Sequence, residues 1–299
     1  MKNIVKRFLY EIVYLLYRSK ILKNKLQVMS IDETIDSMVN TDKSLVRFGD
    51  AELSIIEGRT TQFQQFDNHL ATRLADILKY QNEQIIVGIP DIFDSLDVYT
   101  KHSRKFWKEH LFYSRKTYEK HCDLNKYYAN AFLSRLYYVY EDKVQSGIWF
   151  DRVKEIWSNK NIVIVEGEIT HTGVENDLFD NVNKIERILC PSHNAFLAYK
   201  QIKEACLQME KDKLFLFSVG NTAKLLVCDL VEAGYRAIDI GNLDMEYDWY
   251  LQKAKGKDHL AKHSIRGKES NLQAGYDKYW SEIVKIITIE ETGSLNEGI

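Results

Sequence analysis

The sequence is poor in cysteine and proline, and several nucleotide-binding and catalytic signatures are missing from it. Its four cysteines have no CxxC spacing, so we expect reduced thiols of a cytoplasmic protein. Because no Walker or GxGxxG pattern occurs, P-loop nucleotide hydrolases and ordinary dinucleotide-binding domains lose support. The chain also lacks the GxSxG elbow of the serine hydrolases.

The chain has no strong charge of one sign. It contains 41 basic and 43 acidic side chains, with a formal net charge of −2. A protein that binds nucleic acid usually presents a strongly basic surface to the phosphates. The composition therefore predicts no nucleic-acid partner.

Basic residues are concentrated at the N-terminus, where residues 1–26 contain seven lysines and arginines against Glu11 alone. The apolar residues of this segment recur at helical spacing, but the stretch from Phe8 to Tyr17 is too short to span a bilayer. The segment predicts a basic amphipathic helix. Such a helix lies on the anionic inner face of the cell membrane, or docks on its own domain or on a partner subunit.

From residue 27 onward, short apolar runs alternate with helical patterns. The predicted strands are Ser44–Phe48, Gln84–Ile89, Asn161–Glu166, Arg187–Cys190, Lys213–Val219 and Arg236–Ile240. The predicted helices cover 68–81, 97–119, 126–140, 151–158, 195–209 and 222–233. This order predicts an α/β fold with a Rossmann-like, mostly parallel sheet flanked by helices, in one domain over 27–252. Residues 253–299 are polar and weakly periodic, which predicts a C-terminal tail or lid.

Polar and chain-bending residues follow each predicted strand, and both prolines, Pro90 and Pro191, lie at such positions. In an open α/β sheet, ligands bind in the crevice outside the carboxyl ends of the strands. The six strand ends therefore predict one functional site, at the edge of the sheet where the strands end.

Asp50 and Glu52 follow the first of these strands. In an extended segment, residues i and i+2 point the same way, so both carboxylates would face one cation such as Mn²⁺ or Mg²⁺. The alternative is an acidic first turn of a helix that begins near Ala51, where the helix dipole favours negative charge.

Two strand-to-helix turns are typical of phosphate-binding sites. They contain Gly220, Asn221 and Thr222 in one and Ser192, His193 and Asn194 in the other. Backbone N–H groups at a helix N-terminus bind phosphate readily. The alternative for Ser192, Asn194 and Asn221 is simple helix capping.

Four carboxylates at the predicted edge are candidates for a general base or for orienting substrate hydroxyls. They are Glu166, Glu168, Asp244 and Glu246. Each would otherwise be a solvated loop acid or an acid at a helix start.

Seven segments, taken in order, resemble the GT-D glycosyltransferases, a bacterial family first described as domain of unknown function 1792. The resemblance runs from about Ser44 to Tyr250. The segments are RFGDAE (47–52), IPDIF (89–93), IVEGE (164–168), GVENDLFDN (173–181), ILCPSHNAF (188–196), VGNTAKLLVCDL (219–230) and GYRAIDIGNLDMEYDW (234–249).

The resemblance implies a metal-dependent enzyme that moves a sugar from a UDP-sugar donor to a glycan or glycoprotein acceptor in bacterial surface-glycan synthesis. It places the metal, Mn²⁺ or Mg²⁺, on Asp50 and Glu52. We expect Asp244 to be the catalytic base, with Glu168 as second choice. The residues expected to bind the nucleotide-sugar are Arg47, Phe48, Gly49, Ser192, His193, Asn194, Gly220 and Thr222.

Three positions depart from the family pattern. The family usually has Lys at the position of His193, Pro at that of Asn221 and His at that of Asn242. Histidine is mostly neutral at pH 7, so it is a weaker fixed charge beside a phosphate than lysine. Two alternatives therefore stay open: a metal-dependent phospho- or nucleotidyltransferase, and a non-catalytic glycan-binding or scaffold protein.

Overall fold

The computed structural model describes residues 2–19, 26–257, 262 and 275–289. Within these residues, nine strands form one sheet in the order β1-β4-β3-β2-β8-β7-β5-β6-β9, and neighbouring strands are parallel. The strands are β1 Gln27–Val28, β2 Ser44–Arg47, β3 Ile85–Ile89, β4 Tyr127–Asn130, β5 Asn161–Gly167, β6 Lys184–Cys190, β7 Leu214–Ser218, β8 Arg236–Asp239 and β9 Ile283–Ile286.

Helices cover both faces of the sheet. The helices are α1 Lys2–Arg18, α2 Ile31–Val39, α3 Asp50–Ile56, α4 Asn68–Lys79, α5 Lys101–His121, α6 Lys143–Lys154, α7 Tyr199–Leu207, α8 Thr222–Glu232, α9 Leu243–Leu251 and α10 Gly275–Ser281. Two short 3₁₀ helices cover Ala131–Ser134 and Ala195–Ala198. Since parallel crossovers are right-handed, α3, α4, α5, α7 and α8 lie on one face, and α2, α6 and α9 lie on the other.

The predicted α/β class with a mostly parallel sheet is confirmed, and each of the six predicted strands is present within a few residues of its expected bounds. Residues of β2 and β3 are buried throughout, as expected of central parallel strands. Ser30 and Glu33 form the capping box that starts α2: each side chain accepts a hydrogen bond from the other's backbone N–H.

The helix predicted over 126–140 is wrong. Residues Tyr127–Asn130 form β4, which pairs with β1 and β3, and a 3₁₀ helix follows over Ala131–Ser134. Most residues of this segment are buried, so its periodicity does not distinguish a buried strand from a buried helix. The helix predicted over 151–158 overlaps α6 only at residues 151–154, since α6 ends at Lys154. Helix α6 begins at Lys143 because Asp142 caps it by accepting from the N–H groups of Val144 and Gln145.

The tail or lid predicted for 253–299 is wrong for residues 275–286. They form α10 and β9, and β9 extends the sheet by pairing with β6. Arg187 of β6 ties this end to the sheet, since its guanidinium donates to Glu282 at 2.7 Å and to Glu166 at 2.8 Å. The rest of the predicted tail lies mostly outside the described residues.

The predicted N-terminal helix is present as α1, and it packs on α5 of its own chain. Tyr10, Tyr14 and Tyr17 form its buried face. The Tyr17 hydroxyl donates to Glu119 at 2.8 Å, and the Tyr14 hydroxyl accepts from the N–H of Leu96 at 3.0 Å. Among the described residues, no helix combines the length and the apolar character needed to cross a membrane.

We expect α1 to contribute to the stability of the domain through its tyrosine face. Tyr17 is 2% exposed, whereas Leu15 on the same helix is 56% exposed. Tyr17→Ala should lower the free energy of unfolding by about 3 kcal/mol or more, because it leaves a cavity and removes a buried contact. Leu15→Ala should change it by less than about 0.5 kcal/mol. Urea denaturation of both variants measures the difference, and equal stabilities would show that α1 is an independent appendage.

Candidate active site

The chain reverses its winding direction between β2 and β8. The connection after β2 leads towards β3 on one side of the sheet, whereas the connection after β8 leads towards β9 on the other. Such a reversal leaves a crevice outside the carboxyl ends of the two strands, which is where open α/β sheets bind their ligands. Arg47 ends β2 and Asp239 ends β8, so both lie at the floor of this crevice.

The register of the sheet brings the predicted strand ends to one edge. Arg47 pairs with Gly88 of β3, Phe217 with Asp239 of β8, and Glu166 with Ser218 of β7. Gly167, at the end of β5, pairs with Cys190 at the end of β6. The convergence expected from the sequence is therefore found.

A buried network of four charges joins the elements around the crevice. We call it the rim network: Arg47, Glu52, Lys224 and Asp239. The Asp239 carboxylate lies 2.8 Å from the Arg47 guanidinium and 3.0 Å from the Lys224 ammonium. Lys224 in turn lies 2.8 Å from Glu52. Two cations and two anions thus link β2, α3, α8 and β8.

The pKa values of the network favour its charged form. Burial alone would raise the pKa of Asp239, but the charges of Arg47 and Lys224 outweigh burial and hold that pKa below its usual value. Burial would lower the pKa of Lys224, but Asp239 and Glu52 outweigh it and raise that pKa. Both groups are therefore charged over the whole neutral range of pH.

The premise that Asp50 and Glu52 point the same way is wrong, because they lie in the first turn of α3 and not in extended chain. Residues two apart on a helix project about 200° apart. Asp50 is exposed at the rim, whereas the Glu52 carboxylate is buried. Glu52 accepts from the N–H of Gly49 at 2.8 Å and from the Asn221 amide at 3.1 Å, in addition to its contact with Lys224.

This geometry limits how a divalent cation would be held. In the described part of the chain, no group of three or more His, Cys, Asp or Glu side chains is placed to hold a metal ion. Glu52 is a poor ligand here, since the Lys224 ammonium occupies the same carboxylate. Asp50 fits better, because Mg²⁺ and Mn²⁺ are commonly bound by one carboxylate together with substrate phosphates and water.

The N-terminus of α8 lies beside that of α3, since the Asn221 amide donates to Glu52. Gly220 is exposed in the left-handed region, with φ +56°, which suits glycine. Neither Asn221 nor Asn194 caps a helix with its side chain, so the capping alternative is wrong for both. The Thr222 hydroxyl is buried and has no hydrogen-bond partner among the described residues.

The turn after β6 is held by the α3–α4 loop, residues 57–67. Asn194 has φ +53°; its side chain accepts from the N–H of Gln65 at 2.7 Å and its N–H donates to Phe63 at 2.8 Å. The exposed ring of His193 lies 5.3 Å from that of Phe63. Ser192 is half-buried and accepts from the N–H of Ile169 at 3.3 Å.

The two candidate bases occupy different environments. Asp244 is buried, 2.9 Å from the Lys262 ammonium, and it accepts from the N–H of Gly173 and the Asn176 amide. Glu168 is exposed just beyond the end of β5. The structure thus leaves Glu168 open to a substrate and places Asp244 in a structural ion pair.

Two of the residues expected to bind the nucleotide-sugar have buried side chains. The Arg47 guanidinium donates to Asp239, Ala131 and Ser134, and a side chain at Gly241 would collide with it. Phe48 belongs to the hydrophobic core. Of the remaining candidates, Gly49 donates to Glu52, whereas Glu166 and Glu246 are fully buried and hydrogen-bonded.

Sequence reasoning missed Lys224 and Asp239. The signal was present: Asp239 interrupts the apolar strand β8, and Lys224 lies in a helix whose other residues from Thr222 to Val231 are, apart from Asp229, mostly apolar. A charge in a buried element requires a partner of opposite sign.

Comparisons with known proteins find a matching family. Residues 45–268 match the family model of the glycosyltransferase GT-D fold. A probable glycosyl transferase Gly from Streptococcus gordonii is 38% identical over 249 residues, covering 81% of this chain and 36% of that protein. Glycosyltransferase GlyD from Streptococcus pneumoniae is 37% identical over 246 residues, covering 80% of this chain and 30% of that protein. The chain thus spans about a third of the length of these curated relatives.

Solved structures show the same architecture. A new glycosyltransferase (DUF1792) from Streptococcus sanguinis superposes with a TM-score of 0.82 at 36% identity, covering 88% of this chain and all of the other. A second structure, described as a highly conserved domain of unknown function 1792 with a distinct glycosyltransferase fold, gives a TM-score of 0.84 at 34% identity. That match covers 92% of this chain and 100% of the other.

We expect the rim network to contribute strongly to stability. Lys224→Met leaves Glu52 and Asp239 buried with less compensation, which should cost about 3–5 kcal/mol of unfolding free energy. The matched control is Lys184→Met, because the Lys184 side chain is 63% exposed in its ion pair with Glu186. That change should cost no more than about 1 kcal/mol. Chemical denaturation of both variants tests the comparison, and a similar small loss in both would contradict it.

The pH dependence of the same measurement follows from the pKa directions. Asp239 has a lowered pKa when folded, so its contribution is present above about pH 4 and is lost as the pH falls through the folded pKa. Lys224 has a raised pKa, so its contribution is complete below about pH 10 and is lost as the pH rises further. The difference in unfolding free energy between wild type and Lys224→Met should therefore not change with pH between about pH 4 and about pH 10.

Proposed function

Because this chain belongs to the family of glycosyltransferases with the GT-D fold, we propose that it transfers a sugar from a UDP-sugar donor with the help of Mn²⁺ or Mg²⁺. The proposed acceptor is a glycan or glycoprotein of the bacterial surface. Cytoplasmic synthesis is part of the same proposal, since nucleotide-sugars are the substrates.

One observation carries the proposal: the N-terminus of α8 and the exposed Asp50 carboxylate flank the crevice between β2 and β8. A nucleotide diphosphate requires hydrogen-bond donors and positive charge. The N-terminal N–H groups of α8 supply the donors, and the helix dipole favours the anion. The buried Thr222 hydroxyl is a further donor without a protein partner among the described residues.

Asp50 is the proposed protein ligand of the cation, with the remaining ligands supplied by the donor phosphates and water. A cation bound there would supply positive charge to the diphosphate. In this proposal Glu52 is a positioning residue: it accepts from Gly49 and Asn221 and so fixes the start of α3 against that of α8.

Glu168 is the proposed general base. In the transfer, the bond between the anomeric carbon and the UDP oxygen breaks, and a bond from the acceptor oxygen to that carbon forms. The acceptor hydroxyl loses its proton, and an exposed carboxylate at the end of β5 is placed to accept it. Asp244 would act only indirectly, since Lys262, Gly173 and Asn176 hold it.

Phe63 and His193 form an exposed pair of aromatic rings beside the turn after β6, with ring centroids 5.3 Å apart. Aromatic rings of this kind stack on flat or apolar faces of ligands. We therefore include Phe63 with His193 among the residues that contact the donor. A ring contact would compensate in part for the permanent charge that a lysine at position 193 would provide.

The donor class is tested by UDP release from a panel of UDP-sugars, with and without Mn²⁺, in the presence and absence of EDTA. The proposal expects at least one UDP-sugar to be hydrolysed slowly without acceptor, and only when the cation is present. Sugar nucleotides of GDP and CMP serve as controls. If every UDP-sugar is inert while another nucleotide-sugar reacts, the donor assignment is wrong.

Asp50→Asn should lower kcat/KM for the UDP-sugar by about 100-fold or more, since one oxygen ligand and one negative charge at the cation are lost. The fold should be unaffected because Asp50 is exposed. Asp212→Asn is the control, as Asp212 is also exposed but precedes β7 at the opposite edge of the sheet. Steady-state kinetics over a range of Mn²⁺ concentrations measures the effect, and full activity of Asp50→Asn would remove Asp50 from the site.

Glu168→Gln should lower kcat by about 100-fold or more while leaving UDP affinity nearly unchanged, because the amide cannot accept the acceptor proton. Asp244→Asn should instead lower the melting temperature, since it weakens the pairing of Lys262. Kinetics, calorimetry with UDP and thermal melting separate the two roles. The assignment fails if Asp244→Asn loses activity at unchanged stability and Glu168→Gln does not.

A further inference from the structure

Helix α1 has two apolar faces, and only one of them packs against other residues that the structure describes. The tyrosine face packs on α5, as described above. The opposite face presents five large apolar side chains to solvent: Val5, Phe8, Leu9, Ile12 and Leu15. At 100° per residue these five span about a third of the helix circumference and lie opposite the tyrosines. We call this face the α1 stripe.

The exposure of the α1 stripe is large for a surface helix. Phe8 is 65% exposed, and the other four side chains are exposed as well. Single exposed apolar residues are ordinary, but a continuous row of five marks an interaction surface.

The layer formed by α1 and α5, which carries the stripe, is basic. Helix α1 contains four basic residues against Glu11, and α5 contains seven against Glu109 and Glu119. The whole chain has a formal net charge of −2, so the charge of the rest is clearly negative. Glu11 is itself paired with Lys108 at 2.7 Å. The exposed basic residues of the layer include Lys6, Arg7, Lys101, Lys105, Lys116 and Lys120.

We propose that the surface formed by α1 and α5 docks on an anionic membrane, with the α1 stripe inserted among the lipid headgroups and the basic residues beside their phosphates. Apolar burial and attraction to anionic lipid act together in helices that lie in the interface plane. A second copy of this chain is a poorer occupant, because a two-fold interface would bring one basic surface against another.

Vesicle co-sedimentation tests the proposal on the full chain. The probes are large vesicles of phosphatidylcholine alone and of an equimolar mixture with phosphatidylglycerol. Wild type should bind the mixed vesicles, bind the neutral ones much less, and lose binding as salt screens the charges. Absence of binding to the mixed vesicles at low salt would overturn the proposal.

Two sets of variants separate the contributions of the stripe and the charge. Phe8→Ser with Leu15→Ser should weaken binding to mixed vesicles by about tenfold or more, because two apolar side chains no longer insert. Lys6→Gln with Arg7→Gln should weaken it several-fold and flatten its salt dependence. Val144→Ser on α6, where Val144 is 79% exposed, is the control and should bind like wild type.

The same variants test whether a second copy of this chain, and not a membrane, covers the α1 stripe. Sedimentation velocity reports whether the chain self-associates, and thermal melting reports whether each variant is folded. A wild-type dimer that becomes monomeric in Phe8→Ser with Leu15→Ser, while vesicle binding is unchanged, would assign the stripe to a second copy and contradict the proposal. The measurement is independent of the donor assays, so failure here leaves the proposed glycosyl transfer untouched.

Discussion

The ion pair between Arg47 and Asp239, extended by Lys224 and Glu52, is the constraint on which the edge with the candidate site depends. Each of these charges would be costly to bury alone, and each reaches a partner only if β2, β8, α3 and α8 take their observed positions. The network therefore selects the arrangement in which the N-terminus of α8 and Asp50 share one crevice. It supplies this specificity in addition to any net stability.

Much of the sheet could be predicted from the sequence, because buried parallel strands are short apolar runs with turn residues behind them. The segments that failed were those whose structure depends on a distant partner. Tyr127–Asn130 is a strand because β1 and β3 flank it, and Ile283–Ile286 is a strand because β6 offers it an edge. Neither segment shows that partner in its own residue pattern. The buried tyrosine face of α1 was likewise missed, because α5, the helix that covers it, is distant in the sequence.

The site could be predicted only as a set of positions. Strand ends, turns and the resemblance to the GT-D family indicated one edge of the sheet, and the strand register brings those strand ends together there. They could not indicate which side chains face the crevice, since this depends on the helical start of α3 and on buried partners. Arg47 was expected to bind the nucleotide-sugar and Asp244 to be the catalytic base, yet Asp239 and Lys262 hold them in ion pairs. Asp50 and Glu168, by contrast, are exposed just beyond the ends of β2 and β5, and their roles stay predictions.

The central claim is that the crevice between β2 and β8 holds the diphosphate of a nucleotide at the N-terminus of α8. A crystal structure with UDP and Mn²⁺ tests it most directly. We expect phosphate oxygens within about 3 Å of the backbone N–H groups that follow Gly220, and the cation on Asp50. Nucleotide bound at another edge of the sheet, or a cation held by carboxylates remote from Asp50, would contradict the claim.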